Sequence, residues 1–351
     1  MLSAPFSSRT LMSPSLRASE SGTSMGERTA MMATSAISAA VLLAFILIRK
    51  MILYITERWS PARNSQYCMQ CENPNNRSAP MLRMYSETVI RTVAIAAMMV
   101  LLVAASVSDL RSRRVPDPYW IAGSIVLLPL AAIRMVDGIG AVPAFEYLAG
   151  ASILMLYALS ERVSGRVAAI PLAVAITMMI MSARQGGPVA PLPLFIMFTL
   201  MYRTGVLAGG ADAKCLMLIA LAFPYPFDLG AIEGEGITPP ALETLLIASV
   251  LGAASVPLVC LLRGSGLRHP TTYPKNVADV DTTFEWPAER MEGSQRVWCR
   301  PFPDEADAIM DELRSLGAEK VRVTPVVPFI VPIAAGFALT VLLGDPFALL
   351  I

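Results

Sequence analysis

Nine stretches of this chain run for 13 to 22 residues without a charge: 29–48, 92–107, 118–133, 147–160, 167–183, 185–202, 215–227, 244–262 and 323–344. A helix that crosses a bilayer needs about 17 to 25 predominantly apolar residues, and the shorter stretches extend through small neighbours. The hydrocarbon core holds no water to satisfy a backbone, so a crossing segment closes its own hydrogen bonds as a helix. The chain is 55% hydrophobic and 16% charged, where a soluble domain carries about 25% charged residues. These features predict an all-α polytopic membrane protein with about seven to nine transmembrane helices, in contact with lipid.

One polar segment interrupts the apolar pattern late in the chain. Residues 263–322 hold nine Lys or Arg and eleven Asp or Glu. Within it, 282–288 and 295–301 read as short strands. The stretch 303–316 places Ala306, Ile309, Met310, Leu313 and Leu316 on one helical face, with Asp304 as a cap and Gly317 as a stop. Residues 320–325 alternate as a strand. A small α/β soluble domain is therefore expected before the last helix. The predicted organisation is a disordered tail over 1–28, an N-terminal helix and polar loop over 29–88, a membrane core over 89–262, the soluble domain over 263–322 and a final helix over 323–351. Pro325, Pro328 and Pro332 are expected to bend that final helix.

Residue types narrow the chemistry. A net charge of +1 gives no basic surface for nucleic acid. His269 is the single histidine, which leaves no room for a His-based triad or a polyhistidine metal site. Of the five cysteines, Cys215 and Cys260 fall in apolar stretches and read as packing residues. Cys68 and Cys71 form one CxxC pair, whereas a closed zinc site needs four ligands. A disulfide or two idle thiols is the plainer reading, and no metal or other cofactor is expected.

Basic residues mark cytoplasmic loops. Arg111, Arg113 and Arg114 follow the second stretch, Arg162 and Arg166 lie between the fourth and fifth, and Arg203 and Lys214 flank a glycine motif. Residues 228–243 carry four acids and no base. These loops alternate sides consistently. Residues 49–91 do not conform, with seven Lys or Arg on the side that parity makes external. Either 29–48 does not cross, or a second short crossing lies within 80–108.

Four apolar stretches separate Asp109 from Asp212. An even number returns the chain to the same side, so both acids are expected at the cytoplasmic face. Asp109 ends one helix and Asp212 begins another. Two close carboxylates do not both ionise easily, so one keeps a proton. The ionised partner then activates a water, and the protonated one polarises a peptide carbonyl. This chemistry needs neither metal nor histidine. Gly209, Gly210 and Ala211 have almost no side chain and let a substrate or helix approach Asp212 closely. Asp117 is an alternative partner acid, although a turn or cap role fits it better. Lys214 reads as a lipid-phosphate contact or a topology signal. Two carboxylates binding a proton or cation in a transporter would sit midway through a span, not at helix ends.

"GGADAK" at 209–214 resembles the GxGD motif of membrane aspartyl proteases, with Ala211 in place of the second glycine. "SDLRSRRVPD" at 108–117 resembles the other half-motif of the type IV prepilin peptidases. "VTPVVPFIVPIAAG" at 323–336, after a soluble segment, is similar to the end of archaeal preflagellin peptidases. The resemblance covers about residues 90–345 and implies Asp109 and Asp212 as the catalytic pair. It implies removal of a short basic leader, typically after Gly, from a prepilin or preflagellin precursor. The activity would lie at the cytoplasmic face of the plasma membrane. Bacterial members carry two CxxC pairs and often methylate the new N-terminus, so the single pair here argues against methyl transfer. The presenilin and signal-peptide-peptidase branch also uses GxGD. It expects Tyr-Asp where Ser108 and Asp109 stand, and Pro-Ala-Leu opening its last helix, whereas "PPAL" here occupies 239–242.

Overall fold

Prolines and glycines decide where the apolar stretches become helices. The computed structural model describes residues 78–160, 165–207, 209–227, 238–265, 269–293, 295–299 and 303–344. The N-terminal tail, the 29–48 stretch, Cys68, Cys71, Arg162 and the capping side chain of Asp304 lie outside the described residues. Helix α1 is Ser78–Ser112 and α2 is Asp117–Ile139. Helices α3 and α4 are Ala141–Leu159 and Gly165–Arg184. Helices α5, α6 and α7 are Pro191–Arg203, Gly210–Ala222 and Pro240–Leu262.

Helix α1 is continuous over 35 residues, or about 52 Å at 1.5 Å per residue. The notion of two crossings within 80–108 is therefore replaced by one long helix. Its apolar part is Glu87–Ser112. Only Gly140 separates α2 from α3, at φ 93°, a left-handed conformation that favours glycine. Pro239 and Pro240 open α7, where a missing amide proton and a fixed φ suit a first turn.

The protein is mostly helical, with a small C-terminal sheet region. Among the described residues, four helices are long and apolar enough to cross a membrane: Glu87–Ser112, Asp117–Val136, Ala141–Leu159 and Pro240–Leu262. Ala169–Arg184 and Ile330–Leu343 are shorter apolar helices.

Helix α6 lies at the centre. It packs against α2, α3, α5 and α7, and every residue from Ala213 to Ala222 is buried. A helix apolar on all faces belongs inside a bundle. Its 13 residues reach only about 20 Å. Phe223 follows its last residue and its amide still donates to the Ile219 carbonyl at 2.9 Å. Phe223 and Phe227 pack edge-on at 5.4 Å, and the buried Tyr147 hydroxyl of α3 donates to the Leu221 carbonyl at 2.6 Å.

The sheet region begins with β1, Tyr273–Asn276, followed by β2, Glu285–Pro287. A hairpin of β3, Glu289–Glu292, and β4, Gln295–Trp298, precedes helix α8, Pro303–Ser315. Strand β5, Lys320–Pro325, lies between β1 and β2 and is antiparallel to both. Val321 and Val323 of β5 join Tyr273, Val277, Met310 and Leu313 in a core that reaches Cys260 of α7. The expected apolar face of α8 holds at Ala306, Met310 and Leu313, but Leu316 is exposed. It falls one residue beyond the helix end, where the chain turns at Gly317.

Glu285 is the buried acid of this region. It accepts from Arg263 at 2.7 Å, from Lys275 at 2.5 Å and from the Tyr273 hydroxyl. Burial, then the hydrogen bond to Glu285, pushes the Tyr273 phenol well above its usual range. Three donors on one carboxylate offset its desolvation. Arg263 directly follows α7, so this cluster fastens the sheet to the end of a membrane helix.

Helix α9, Ile330–Leu343, closes the bundle against α7 and α1. The expected bending by prolines is corrected here. Pro325 ends β5, Pro328 lies in the connection, and Pro332 is in the first turn of α9. Gly336 sets the spacing between α7 and α9, because a Cβ there would lie 2.7 Å from the Thr244 carbonyl oxygen. Small residues allow such close backbones. Gly336→Val is expected to force these helices apart and destabilise the fold by about 1–3 kcal/mol. A lowered thermal unfolding midpoint in detergent would register this, and an unchanged midpoint would contradict the packing described.

Candidate active site

Asp109 lies one turn before the end of α1. Its helix ends through "SDLRSRR", whose hydroxyls tie the turn closed. Ser108 Oγ donates to the Arg114 carbonyl at 2.9 Å, and Ser112 Oγ donates to the same oxygen at 3.0 Å. The Arg113 amide donates to the Asp109 carbonyl at 2.9 Å. Arg113 itself has φ 55°. A non-glycine residue held there costs of order 1–3 kcal/mol, so the surrounding contacts must hold it.

Asp212 is the third residue of α6, after Gly209 as N-cap. An acid in a first turn is favoured by the exposed amides and the helix dipole. Its side chain folds back over Gly209: a Cβ on Gly209 would lie 2.2 Å from Asp212 Oδ2. A side chain at Gly209 would thus displace the carboxylate from this position. Gly210 faces Tyr202, whose hydroxyl would lie 3.2 Å from an added Cβ. Ala211 is half-buried like its neighbours.

Helix α2 packs against both helices that carry the acids. A Cβ on Gly123 would lie 2.5 Å from Leu101 of α1 and 2.9 Å from Leu218 of α6. The two helices therefore approach α2 closely at one level. Asp109 and Asp212 are both half-buried, so both remain open to a reactant.

Lys214 is where the sequence reading falls short. It is buried, and its Nζ lies 2.8 Å from Asp117 Oδ1 at the start of α2. This ion pair ties the two half-motifs directly. Taken from sequence, Lys214 was a lipid or topology residue and Asp117 a cap. The signal was present: opposite charges open two helices on the same side of the membrane by the count of stretches. Arg111 and Arg114 are exposed, as topology residues would be. Arg113 is turned inward and lies over the Phe284 ring at 4.8 Å.

The remaining candidates lie elsewhere. His269 stacks on Trp298 at 5.4 Å in the sheet region. "PPAL" opens α7, whose other end carries Arg263 and the sheet. With 23 residues, α7 separates these ends by about 34 Å. That places "PPAL" at the opposite end of the bundle from the contact between Arg113 and Phe284.

Residues 96–256 match the family model for the type IV leader peptidase family. No curated protein matches the chain, and no solved structure does. The matched segment contains Asp109, Asp117, Asp212 and Lys214, and ends within α7 before the sheet region.

Gly209→Ala is expected to displace the Asp212 carboxylate while leaving the buried remainder of α6 in place. A misplacement of about 1 Å costs on the order of a hundredfold in rate. Peptidase assays on folded variant protein would show a loss of that size, and near-normal activity would mean that Asp212 does not need this conformation.

Proposed function

We propose that this chain, an aspartic-type leader peptidase of the type IV leader peptidase family over residues 96–256, acts through Asp109 and Asp212. It would cleave the short basic leader from a prepilin-like or preflagellin precursor at the cytoplasmic membrane face. Proteins of this family process type IV prepilin-like substrates. One observation carries the assignment of residues: Asp109 ends α1 and Asp212 opens α6, two helices that both pack closely on Gly123 of α2, whose own start is tied to α6 by Asp117 and Lys214.

In this reading the dyad holds one proton between two carboxylates, since like charges at close range disfavour double ionisation. The ionised carboxylate takes a proton from water as the oxygen attacks the scissile carbonyl. The protonated carboxylate donates to the developing oxyanion. The tetrahedral intermediate collapses as the peptide nitrogen receives a proton and leaves as the new N-terminus of the mature protein. Water is consumed, and the dyad returns to its single shared proton. Gly209, Gly210 and Ala211 keep the approach to Asp212 free of side chains.

The exposed Arg111 and Arg114 beside Asp109 support a cytoplasmic orientation by the positive-inside rule. We read the shorter helices α4, α5, α6 and α9 as further membrane-embedded elements, which brings the bundle into the range of seven to nine. The sheet region then forms a cytoplasmic domain at the active end. Its position before the last helix, and the proline-rich 323–336 stretch, favour a preflagellin-like precursor within this substrate class.

Cleavage of a leader-bearing precursor by purified full-length protein tests the assignment. Asp109→Asn and Asp212→Asn are each expected to lower kcat by about a thousandfold or more, since each removes one half of the acid–base pair. A chelator is expected to change nothing. Asp117→Asn keeps a hydrogen-bond acceptor for Lys214 and is expected to retain activity within about tenfold. Survival of cleavage in Asp109→Asn with loss in Asp117→Asn would move the first acid to Asp117.

A further inference from the structure

Arg113 joins two parts of the molecule that the chemistry alone does not connect. Its amide closes the helix that carries Asp109, donating to the Asp109 carbonyl at 2.9 Å. Its side chain leaves the bundle and enters the sheet region. There Nη2 donates to the Val326 carbonyl, and the guanidinium lies over the Phe284 ring at 4.8 Å. Asp109 and Asp281 are the acids whose charges reach it.

The receiving corner is itself tied by backbone hydrogen bonds. The Val326 amide donates to the Phe284 carbonyl at 2.8 Å, extending the pairing of β2 with β5. The amides of Phe284 and Glu285 both donate to the Asp281 carbonyl, at 3.0 and 2.9 Å. The next residue, Glu285, is held by Arg263 at the end of α7. Adjacent residues of one strand start are thus gripped by arginines from two membrane helices, α1 and α7. Among the described residues, Arg113 has the single non-glycine positive φ. A strained backbone persists where its surroundings over-determine it, and here those surroundings are the sheet corner.

We propose that Arg113 is a positioning residue, through which the Phe284–Val326 corner of the sheet region holds the Asp109 turn in its working conformation. This rests on the reading of Asp109 as half of the dyad. The sheet region is then a brace for the chemistry. The residues lining the route from sheet to dyad are Phe284, Val326, Arg113 and Asp109, in that order.

The test is steady-state cleavage of a leader-bearing precursor by full-length protein in detergent, on variants matched for folded yield and thermal midpoint. Arg113→Ala and Phe284→Ala are each expected to lower kcat about tenfold with KM within about twofold, because they misplace a reacting group without touching substrate. The double variant is expected to fall no further than either single one, since both break the same contact. Arg113→Gly removes the guanidinium and relieves the left-handed backbone, and is expected to lose kcat as Arg113→Ala does. Full recovery of kcat in Arg113→Lys would assign the effect to charge and overturn the brace. So would multiplicative losses in the double variant, a change confined to KM, or wild-type kcat in Arg113→Ala. Asp109→Asn run alongside separates the two ideas: if it still cleaves, the dyad reading fails, whatever Arg113 does.

Discussion

Helix α6 is buried on every face, and that enclosure dictates where its polar residues can stand. A charged side chain within an apolar bundle is expensive unless it is paired or near an open end. Asp212 and Lys214 both occupy the first turn and a half of the helix, and the remaining ten residues from Ala213 onward are buried, Lys214 among them. Lys214 is tolerated because Asp117 meets it at 2.8 Å. Asp212 is tolerated because it faces an end that is half open and lies among amides that favour an acid. Asp212, the proposed reactive group, is therefore confined to one end of a buried helix. Groups held this way lose little orientation when a reactant arrives.

The same enclosure explains the pattern of small residues. Gly123 lets α1 and α6 approach α2 together, Gly209 yields to the Asp212 carboxylate, and Gly336 brings α9 against α7. These positions do different work. Helix spacing is the demand at Gly123 and Gly336, whereas at Gly209 it is the Asp212 side chain. This distinction bears on Ala211, which replaces a glycine of the resembled motif. No comparable demand falls on it in this geometry, since the close approach to Asp212 is made by Gly209.

The membrane class and the mostly helical architecture were legible in the sequence because each depends on a summed property. Charge-free length tolerates errors of a few residues. Helix ends did not share that robustness. Residues 185–190 looked like the start of a span, yet α5 begins at Pro191, since Gly186, Gly187 and Pro188 form the turn before it. Residues 323–325 were claimed both by the strand read over 320–325 and by the final apolar stretch, and β5 takes them by pairing with β1 and β2. Apolarity alone does not separate a buried strand from a buried helix. Within the site, the glycines and acids were readable, but Lys214–Asp117 and the inward turn of Arg113 were not. Both depend on which of several basic residues faces protein instead of solvent, and a cluster of arginines hides that choice.

Two arginines that leave helix ends show why the sheet region cannot be regarded as an appendage. Arg263 and Arg113 leave the ends of α7 and α1, and each uses a planar guanidinium, which lysine lacks. Arg263 engages the buried Glu285 carboxylate and the Tyr273 hydroxyl at 2.7 and 2.6 Å. Arg113 engages a carbonyl and an aromatic face one residue away. A strand start gripped from two helices resists their sliding apart at that end of the bundle. Helix α7 also contacts α6 directly, so α1 and α6, the carriers of the two acids, are referenced to each other twice: through α2 within the membrane, and through α7 and the sheet outside it. A dyad that shares one proton depends on the separation of its carboxylates more than on any other distance. For the proposed pair of Asp109 and Asp212, these two routes are what would fix that separation.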